Sequence, residues 1–505
     1  MQVKGDFMGD SQMDLLLKPA YKLAELVRQK KLSSVELIDL TFRKLSIENP
    51  NLNAVIATRK SAALLEANQL QDTGQPFLGV PILLKGLGQS LKGEPETYGN
   101  RLFKTAIANS TNNYVRALQK AGFIVIGQTN FPEFGFKNIT DAKIFGPAHN
   151  PWNLNYQPGG SSGGAAAAVA AGILPLAAGN DGGGSIRIPA SWSGTIGLKP
   201  TRGRVPTGPI DWRSWQGASV NFALTRSVAD TALLLDALQT VQPAAVFQVP
   251  LILDGFFKNL VVPATKTVIG YTAESPVGTP VSAAAKQAVA DAVAFLNSQG
   301  FATSPIKLPT NGVELMKSYY LMNEAETAAM FANLQQLLGR SLTRNDMEPL
   351  AWALYQTGKN VSAAKYSQSL NSWDAAAYQM AELHKKYPVI LTPTTATVAP
   401  LVNQPLVNQE NLSRMEHAEE LTVNEQQQLI WNQWLPSLKL SPFTQQANLT
   451  GAPAISLPTE ITSSGLPLGI QLTAGKGQEQ LLLQFATLFE KEGQLKFLHP
   501  TNFTD

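Results

Sequence analysis

The sequence contains no cysteine and only four histidines, His149, His384, His417 and His499. Without cysteine there is no disulfide, no thiolate nucleophile and no thiolate metal site. The histidines show no HExxH or comparable ligand spacing, so neither a metal site nor a cofactor is expected. A serine enzyme built on this chain needs a base other than histidine.

Charge is scarce as well. Asp, Glu, Lys and Arg make up 15% of the 505 residues, and 40 Lys+Arg against 37 Asp+Glu leave a formal charge of +3. No run of Lys or Arg offers the electrostatic footprint of a nucleic-acid or anionic-membrane surface. Long apolar runs are missing too. The first 22 residues carry no apolar core of a secretory signal. The longest low-charge stretch, 165–178, is too short to span a bilayer and is broken by Gly172 and Pro175. These absences predict a cytoplasmic protein that binds neither nucleic acid nor membrane.

What is present is apolar bulk. Hydrophobic residues make up 44% of the chain, ample for a large core. Length alone suggests about three domains. Neither an internal repeat nor a dividing linker is visible, so residues 1–505 are read as one domain. Ser33 and Glu36 have capping-box spacing, and Val35, Leu37, Ile38, Leu40, Phe42 and Leu45 follow at helical period. Apolar runs at 78–84 and 123–127 predict buried strands, the second preceded by a helix ending near Ala121. Further on, 227–238, 283–298 and 480–490 predict helices, and 316–386 a mostly helical stretch. Strands are predicted at 268–271, 389–393, 454–458 and 468–472. This alternation of helix and apolar strand predicts an α/β fold.

Glycine is concentrated in one place. Thirteen of the fifty residues at 159–208 are glycine, and from 159 to 200 only Asp181, Arg187 and Lys199 carry charge. The Ala, Val, Ile and Leu content argues for burial over disorder. Two serine loops lie here, Gly159-Gly160-Ser161-Ser162-Gly163-Gly164 and Asp181-Gly182-Gly183-Gly184-Ser185-Ile186-Arg187. Consecutive glycines let backbone N–H groups converge into a nest for a developing oxyanion. Ser185, at the end of such a nest, is the candidate nucleophile. Taken alone, either loop fits a tight turn equally well. The first loop also fits G-x-S-x-G, centred on Ser161 or Ser162, the signature of a nucleophile elbow. That elbow needs a strand just before it. Residues 150–158 contain two prolines and three asparagines and do not read as one. The candidate base is Lys85, which ends the apolar run 80–84. Desolvation there would lower its pKa and let it accept a proton. From local sequence, a strand-end lysine reaching solvent fits as well.

The motifs share an order. They begin with Gly79-Val80-Pro81-Ile82-Leu83-Leu84-Lys85, Asn150-Pro151-Trp152-Asn153 and the two serine loops. They continue through 194–202, Leu391-Thr392-Pro393-Thr394 and Asn448-Leu449-Thr450-Gly451-Ala452-Pro453. Together, over about residues 20–490, they resemble the amidase signature family. The resemblance implies one large α/β/α body around a mixed, twisted sheet. Its signature core would span about 79–208, and a variable, substrate-lining helical region about 310–440. It implies Ser185 as nucleophile, Ser161 as a bridging serine on a cis peptide, and Lys85 as base. The N–H groups of Gly182, Gly183 and Gly184 would form the oxyanion hole, with Gly159 and Gly160 beside the substrate. The expected partner is a small-molecule amide, hydrolysed through a Ser185 acyl-enzyme; the largest assembly considered is a homodimer.

The alternative is the glutaminase subunit of a tRNA-dependent amidotransferase. The alanine-rich, aromatic stretch 319–378 leans toward a more apolar substrate. Pocket walls are expected from 99–104, 131–145, 211–215 and 319–327, with Trp212, Trp215, Tyr319 and Met322 as candidates. Asp181 and Arg187 are read as a structural brace and Ser162 as a hydrogen-bonding support. Three positions depart from the family pattern. Asn180 stands where many members have Thr, Gly182 where they have Ile, and Gly86 where they have an acidic residue. A glycine at 182 is expected to loosen or widen the oxyanion hole.

Overall fold

The apolar runs pair into two sheets. The structure, a computed structural model, describes residues 13–500, so the part of the N-terminal reading that rests on residues 1–12 lies outside it. Strands β1 (Val55–Thr58), β2 (Pro81–Lys85) and β3 (Ile124–Thr129) form a small sheet in the order β1-β3-β2. Eight more strands form a larger one: β4 (Leu176–Asp181), β5 (Ile196–Lys199), β6 (Val220–Thr225), β7 (Ile269–Tyr271), β8 (Thr303–Pro305), β9 (Val389–Pro393), β10 (Ala454–Ile461) and β11 (Pro467–Ala474). Its order is β4-β6-β5-β10-β11-β9-β7-β8. It is mixed, antiparallel from β4 to β9 and parallel from β9 through β7 to β8. The expected α/β class with a mixed central sheet is what the chain adopts.

Gln89 ties the two sheets together. Its Oε1 accepts the Lys85 N–H at 2.7 Å and its Nε2 donates to the Gly179 carbonyl at 2.8 Å. The end of β2 is thereby held beside β4, which brings Lys85 to the serine loops.

Side-chain alternation on β11 explains the layers. Leu468, Ile470 and Leu472 enter the main core with residues of the helices Ala283–Ser298 and Glu479–Lys491. Gly469 and Gln471, on the opposite face, meet the helix Arg187–Ser193. Gly469 N–H donates to Ser191 Oγ at 2.9 Å, and Gln471 Oε1 accepts from Arg187 at 2.8 Å. Helices therefore cover both faces of the sheet. The Ser33–Glu36 capping box forms as its spacing predicts and starts the helix Ser34–Leu52.

The helices between Gly312 and Leu440 bury a second apolar cluster of their own, containing Tyr319, Tyr320, Phe331, Trp352, Trp373 and Trp434. This cluster stands over the serine loops and supplies part of the site's wall.

Candidate active site

Lys85 ends β2 with its side chain fully buried. Its Nζ donates to Ser161 Oγ at 2.7 Å and to Asn180 Oδ1 at 2.6 Å. Burial disfavours the ammonium and pulls the pKa down from 10.5 to about 7, against an opposing pull from Asp181. Asn180 Nδ2 donates to the Leu87 carbonyl at 2.9 Å, which fixes the amide so that its oxygen faces the lysine. A neutral amine has two N–H bonds and one lone pair. An N–H held by Asn180 leaves the lone pair free to turn toward Ser161. Asn180, known from sequence only as a departure, thus sits against the base.

Ser161 lies on a turn packed too tightly for side chains. The Gly160–Ser161 peptide is cis. A Cβ on Gly159, whose φ is +95°, would lie 2.6 Å from Pro189 Cα, and one on Gly160 would lie 2.5 Å from the Ile139 carbonyl oxygen. Neither glycine lines a cavity with Ser161 or Ser185. Both glycines allow backbone to approach backbone. Ser162 N–H donates to the Ser185 carbonyl at 3.2 Å, joining the two loops. Its hydroxyl bonds the Asn180 carbonyl at 3.2 Å, the supporting part expected of it.

Ser185 follows a strand, and Ser161 does not. Residues 150–158 form only isolated bridges, whereas β4 leads directly into Gly182-Gly183-Gly184-Ser185 and the helix Arg187–Ser193. Asp181 closes this turn. Its Oδ1 accepts the Gly184 N–H at 2.7 Å, and its carboxylate is gripped by Arg187 Nε and Nη2, both at 2.8 Å. Burial pushes the Asp181 carboxyl up, but Arg187 outweighs it and holds the group well below the usual carboxylate range. Arg187 spends its remaining donors on Thr444, Gln471 and Asn448. The Gly184 N–H is therefore already committed to Asp181, and Gly184 closes the turn.

A side chain from elsewhere in the fold backs each of the three glycines. A Cβ on Gly182 would lie 3.0 Å from the Trp215 ring, on Gly183 2.7 Å from Tyr319 Oη, and on Gly184 2.3 Å from Thr444 Oγ1. Tyr319 also donates to the Gly182 carbonyl at 3.0 Å, and Thr444 to the Gly183 carbonyl at 2.7 Å. The nest is thus clamped, and the looseness expected from Gly182 is filled by Trp215. Gly86 has a similar cause, since a Cβ there would lie 2.4 Å from the Phe131 ring.

Ser161 and Ser185 both line a cavity of about 270 Å³ walled by Phe134, Phe136, Trp215, Ile210 and Met330. Among the described residues no hydrogen bond joins the two hydroxyls. A smaller cavity of about 70 Å³ lies on the other side of Ser185, against Tyr319, Tyr320 and Trp434. Phe136 and Trp215 line both, stacked at 5.9 Å between centroids and 11° between planes. Of the pocket candidates, Trp215 and Tyr319 line these cavities. Trp212 packs over Gly208, and Met322 is buried in the helical cluster. Among the described residues no group of three or more His, Asp or Glu is placed to hold a metal ion, and no helix is long and apolar enough to cross a membrane.

Known proteins resemble this chain in sequence and fold over nearly its whole length. The sequence model of the amidase family matches residues 36–483. A lipoamidase of Enterococcus faecalis is 47% identical over 97% of this chain, which spans 65% of that protein's length. A 6-aminohexanoate-cyclic-dimer hydrolase of Paenarthrobacter ureafaciens is 32% identical over 95% of both chains. The solved structure of a 6-aminohexanoate cyclic dimer hydrolase complexed with substrate superposes with a TM-score of 0.85 at 31% identity, covering 95% of this chain and 98% of the other. That of a bacterial aryl acylamidase, an amidase signature enzyme, gives 0.81 at 27% identity over 94% and 96%. With the family's sequence pattern and fold both present over nearly the whole chain, this chain belongs to the amidase signature family.

Proposed function

We propose that the chain is an amide hydrolase that works through a Ser185 acyl-enzyme, with Ser161 passing protons between Ser185 and Lys85. One observation carries the reading: a buried lysine with a pKa near 7 is bonded at 2.7 Å to a serine that shares a cavity with a second serine ending a glycine turn.

The steps follow from where protons can go. Neutral Lys85 takes the Ser161 proton while Ser161 takes that of Ser185. Ser185 Oγ adds to the amide carbon, and the oxyanion is held by backbone N–H groups of Gly182 and Gly183, Gly184 being engaged elsewhere. Ser161 then hands its proton to the leaving nitrogen, the C–N bond breaks, and Lys85 reprotonates Ser161. Water attacks the acyl ester, its proton leaves by the same relay, and Ser185 departs with a proton. In this reading the helices of about 310–440 and the signature core act together as one unit on a small-molecule amide.

Linear amides with an apolar arm suit the wall of Phe134, Phe136, Trp215 and Met330. Lipoamide is the first substrate to try, given the 47% identity to a lipoamidase. Aryl anilides and 6-aminohexanoate oligoamides come next. The glutaminase-subunit reading is the alternative: Glu96, Asp211 and Glu326 also line this cavity and would suit glutamine's ammonium. In a hydrolysis screen of these amides with glutamine included, Ser185→Ala should abolish turnover and labelling by a serine-reactive phosphonate. Labelling retained in Ser185→Ala and lost in Ser162→Ala would sink the assignment.

A further inference from the structure

Three successive peptides of the glycine turn each have their carbonyl held by a side chain from outside it. Asn448 Nδ2 donates to the Asp181 carbonyl at 2.8 Å, Tyr319 Oη to the Gly182 carbonyl at 3.0 Å and Thr444 Oγ1 to the Gly183 carbonyl at 2.7 Å. All three peptides are trans, so each C=O points opposite to the N–H that follows it. Holding a carbonyl therefore aims the next residue's N–H. The three bonds aim the N–H groups of Gly182, Gly183 and Gly184. The third N–H is taken by Asp181 Oδ1 at 2.7 Å. The first two have no hydrogen-bond partner among the described residues.

The middle peptide is the least secured of the three. The Asp181–Gly182 peptide leaves the last residue of β4, and the Gly183–Gly184 peptide is bonded at both ends, to Thr444 and to Asp181. The Gly182–Gly183 peptide lies between two glycines, whose backbone angles are the least restricted of any residue. Among the described residues its only hydrogen bond is the one from Tyr319. Without that bond the peptide is free to turn over, which would put the Gly182 oxygen where the Gly183 N–H stood. An acceptor would then face the developing oxyanion in place of a donor. A carbonyl only accepts, so the phenol proton is committed to it. Burial pushes the Tyr319 phenol above its ordinary range, which keeps that proton in place. The fit is close. Gly183 does not have a left-handed φ, yet a Cβ there would lie 2.7 Å from Tyr319 Oη.

Tyr319 stands on the helix Gly312–Leu338, and none of the hydrolytic steps uses it. We infer that Tyr319 is a positioning residue of the oxyanion hole: by holding the Gly182 carbonyl it locks the Gly182–Gly183 peptide with the Gly183 N–H turned to the carbonyl oxygen of the bound amide. This rests on the Ser185 acyl-enzyme proposed above. Tyr319 acts through that peptide and touches no reacting atom.

Tyr319→Phe keeps the ring and removes only the hydroxyl. The probe is a phenylalkyl trifluoromethyl ketone. Ser185 Oγ adds to its carbonyl carbon, the Ser185 proton passes through Ser161 to Lys85, and the carbonyl oxygen becomes an oxyanion whose pKa fluorine NMR reads. Losing one N–H donor should weaken this adduct about 10²-fold and raise its oxyanion pKa by about 2. With lipoamide as substrate, kcat should fall by a similar factor while KM stays within about threefold. An adduct of native affinity and pKa overturns the inference, and so does a loss confined to KM. Gly183→Ala reaches the same end from the other side, because its Cβ displaces the hydroxyl. It should weaken the adduct in the native background and little further in Tyr319→Phe, where the atom it meets is gone; additive losses overturn the inference. Should Tyr319→Phe fail to fold, Gly183→Ala decides by the same adduct. The hydrolytic reading is judged separately. A native enzyme that forms no adduct, or an adduct that persists in Ser185→Ala, sinks that reading and the inference with it. An adduct that needs Ser185 but is indifferent to Tyr319→Phe sinks the inference alone.

Discussion

Replacing Lys85 by methionine should abolish activity and, at low pH, relieve a cost to stability. Lys85 is fully buried, and its pKa falls from 10.5 to about 7, chiefly through desolvation. At about 1.4 kcal/mol per pKa unit, this corresponds to roughly 5 kcal/mol against the folded state wherever the unfolded chain keeps the lysine protonated at no cost. The folded pKa lies below the unfolded one, so between pH 7 and 10.5 the unfolded chain binds more protons and stability rises with pH. Below about pH 7 the full penalty is present, and above about 10.5 it is gone. Roughly 2 kcal/mol of it remains at pH 9. Methionine fills similar space but strands Ser161 Oγ and Asn180 Oδ1, at about 1–3 kcal/mol each. That loss does not depend on pH. Lys199, also buried and lowered to about 7, is present in both proteins and cancels. Relative to the native protein, Lys85→Met should therefore gain roughly 3 kcal/mol between pH 9 and pH 6. Urea denaturation at the two pH values measures this. A stability difference between the two proteins that is the same at pH 6 and pH 9 would refute the buried, neutral lysine, whatever the variant does to activity. Its kcat/KM should fall at least about 10³-fold, since the base is gone.

Three other outcomes follow from the same geometry. Because the base must be neutral, kcat/KM should rise with pH through about 7 and then level off; a profile flat from pH 5 to 9 would show that Lys85 does not titrate in the free enzyme. Arg187→Met leaves Asp181 charged, buried and without its cation, which should cost about 3–5 kcal/mol in denaturant melts; a loss under about 1 kcal/mol would mean the brace is dispensable. Gly182→Ile should push the Trp215 ring aside and lower activity, and the loss should shrink in a Trp215→Ala background; additive losses would show that the two positions do not meet.

The parts of the fold legible in sequence were those whose pattern is local. The capping box at Ser33, the apolar runs of β2 and β3 and the helix Ala283–Ser298 are written in adjacent residues, and they form where expected. β4 was not legible. Its sequence, Leu176-Ala177-Ala178-Gly179-Asn180-Asp181, has no β-branched or aromatic residue, and pairing with β6 along its whole length makes it a strand. That miss mattered, because β4 is what places Ser185 on a strand-to-helix turn. The three glycines before Ser185 announced a nest but not which amides stay free. Asp181, four residues from Ser185, decides that by taking the Gly184 N–H.

Side chains whose meaning depends on distant partners could not be read at all. Asn180 looks in sequence like a departure and lies in the structure against the base. The same limit applies more strongly to Asn138 and Gln445. Each is an amide with a donor end and an acceptor end, and sequence shows neither which end is used nor by what. The answer lies in backbone carbonyls at Ser437 and Ser441, which belong to one end of the helix Val423–Leu440 and the residue after it. By engaging both nitrogens, that helix end leaves both oxygens buried and without a hydrogen-bond partner among the described residues. In this fold the helical region thus does more than wall the site: through two main-chain oxygens it sets which way the two amides are turned.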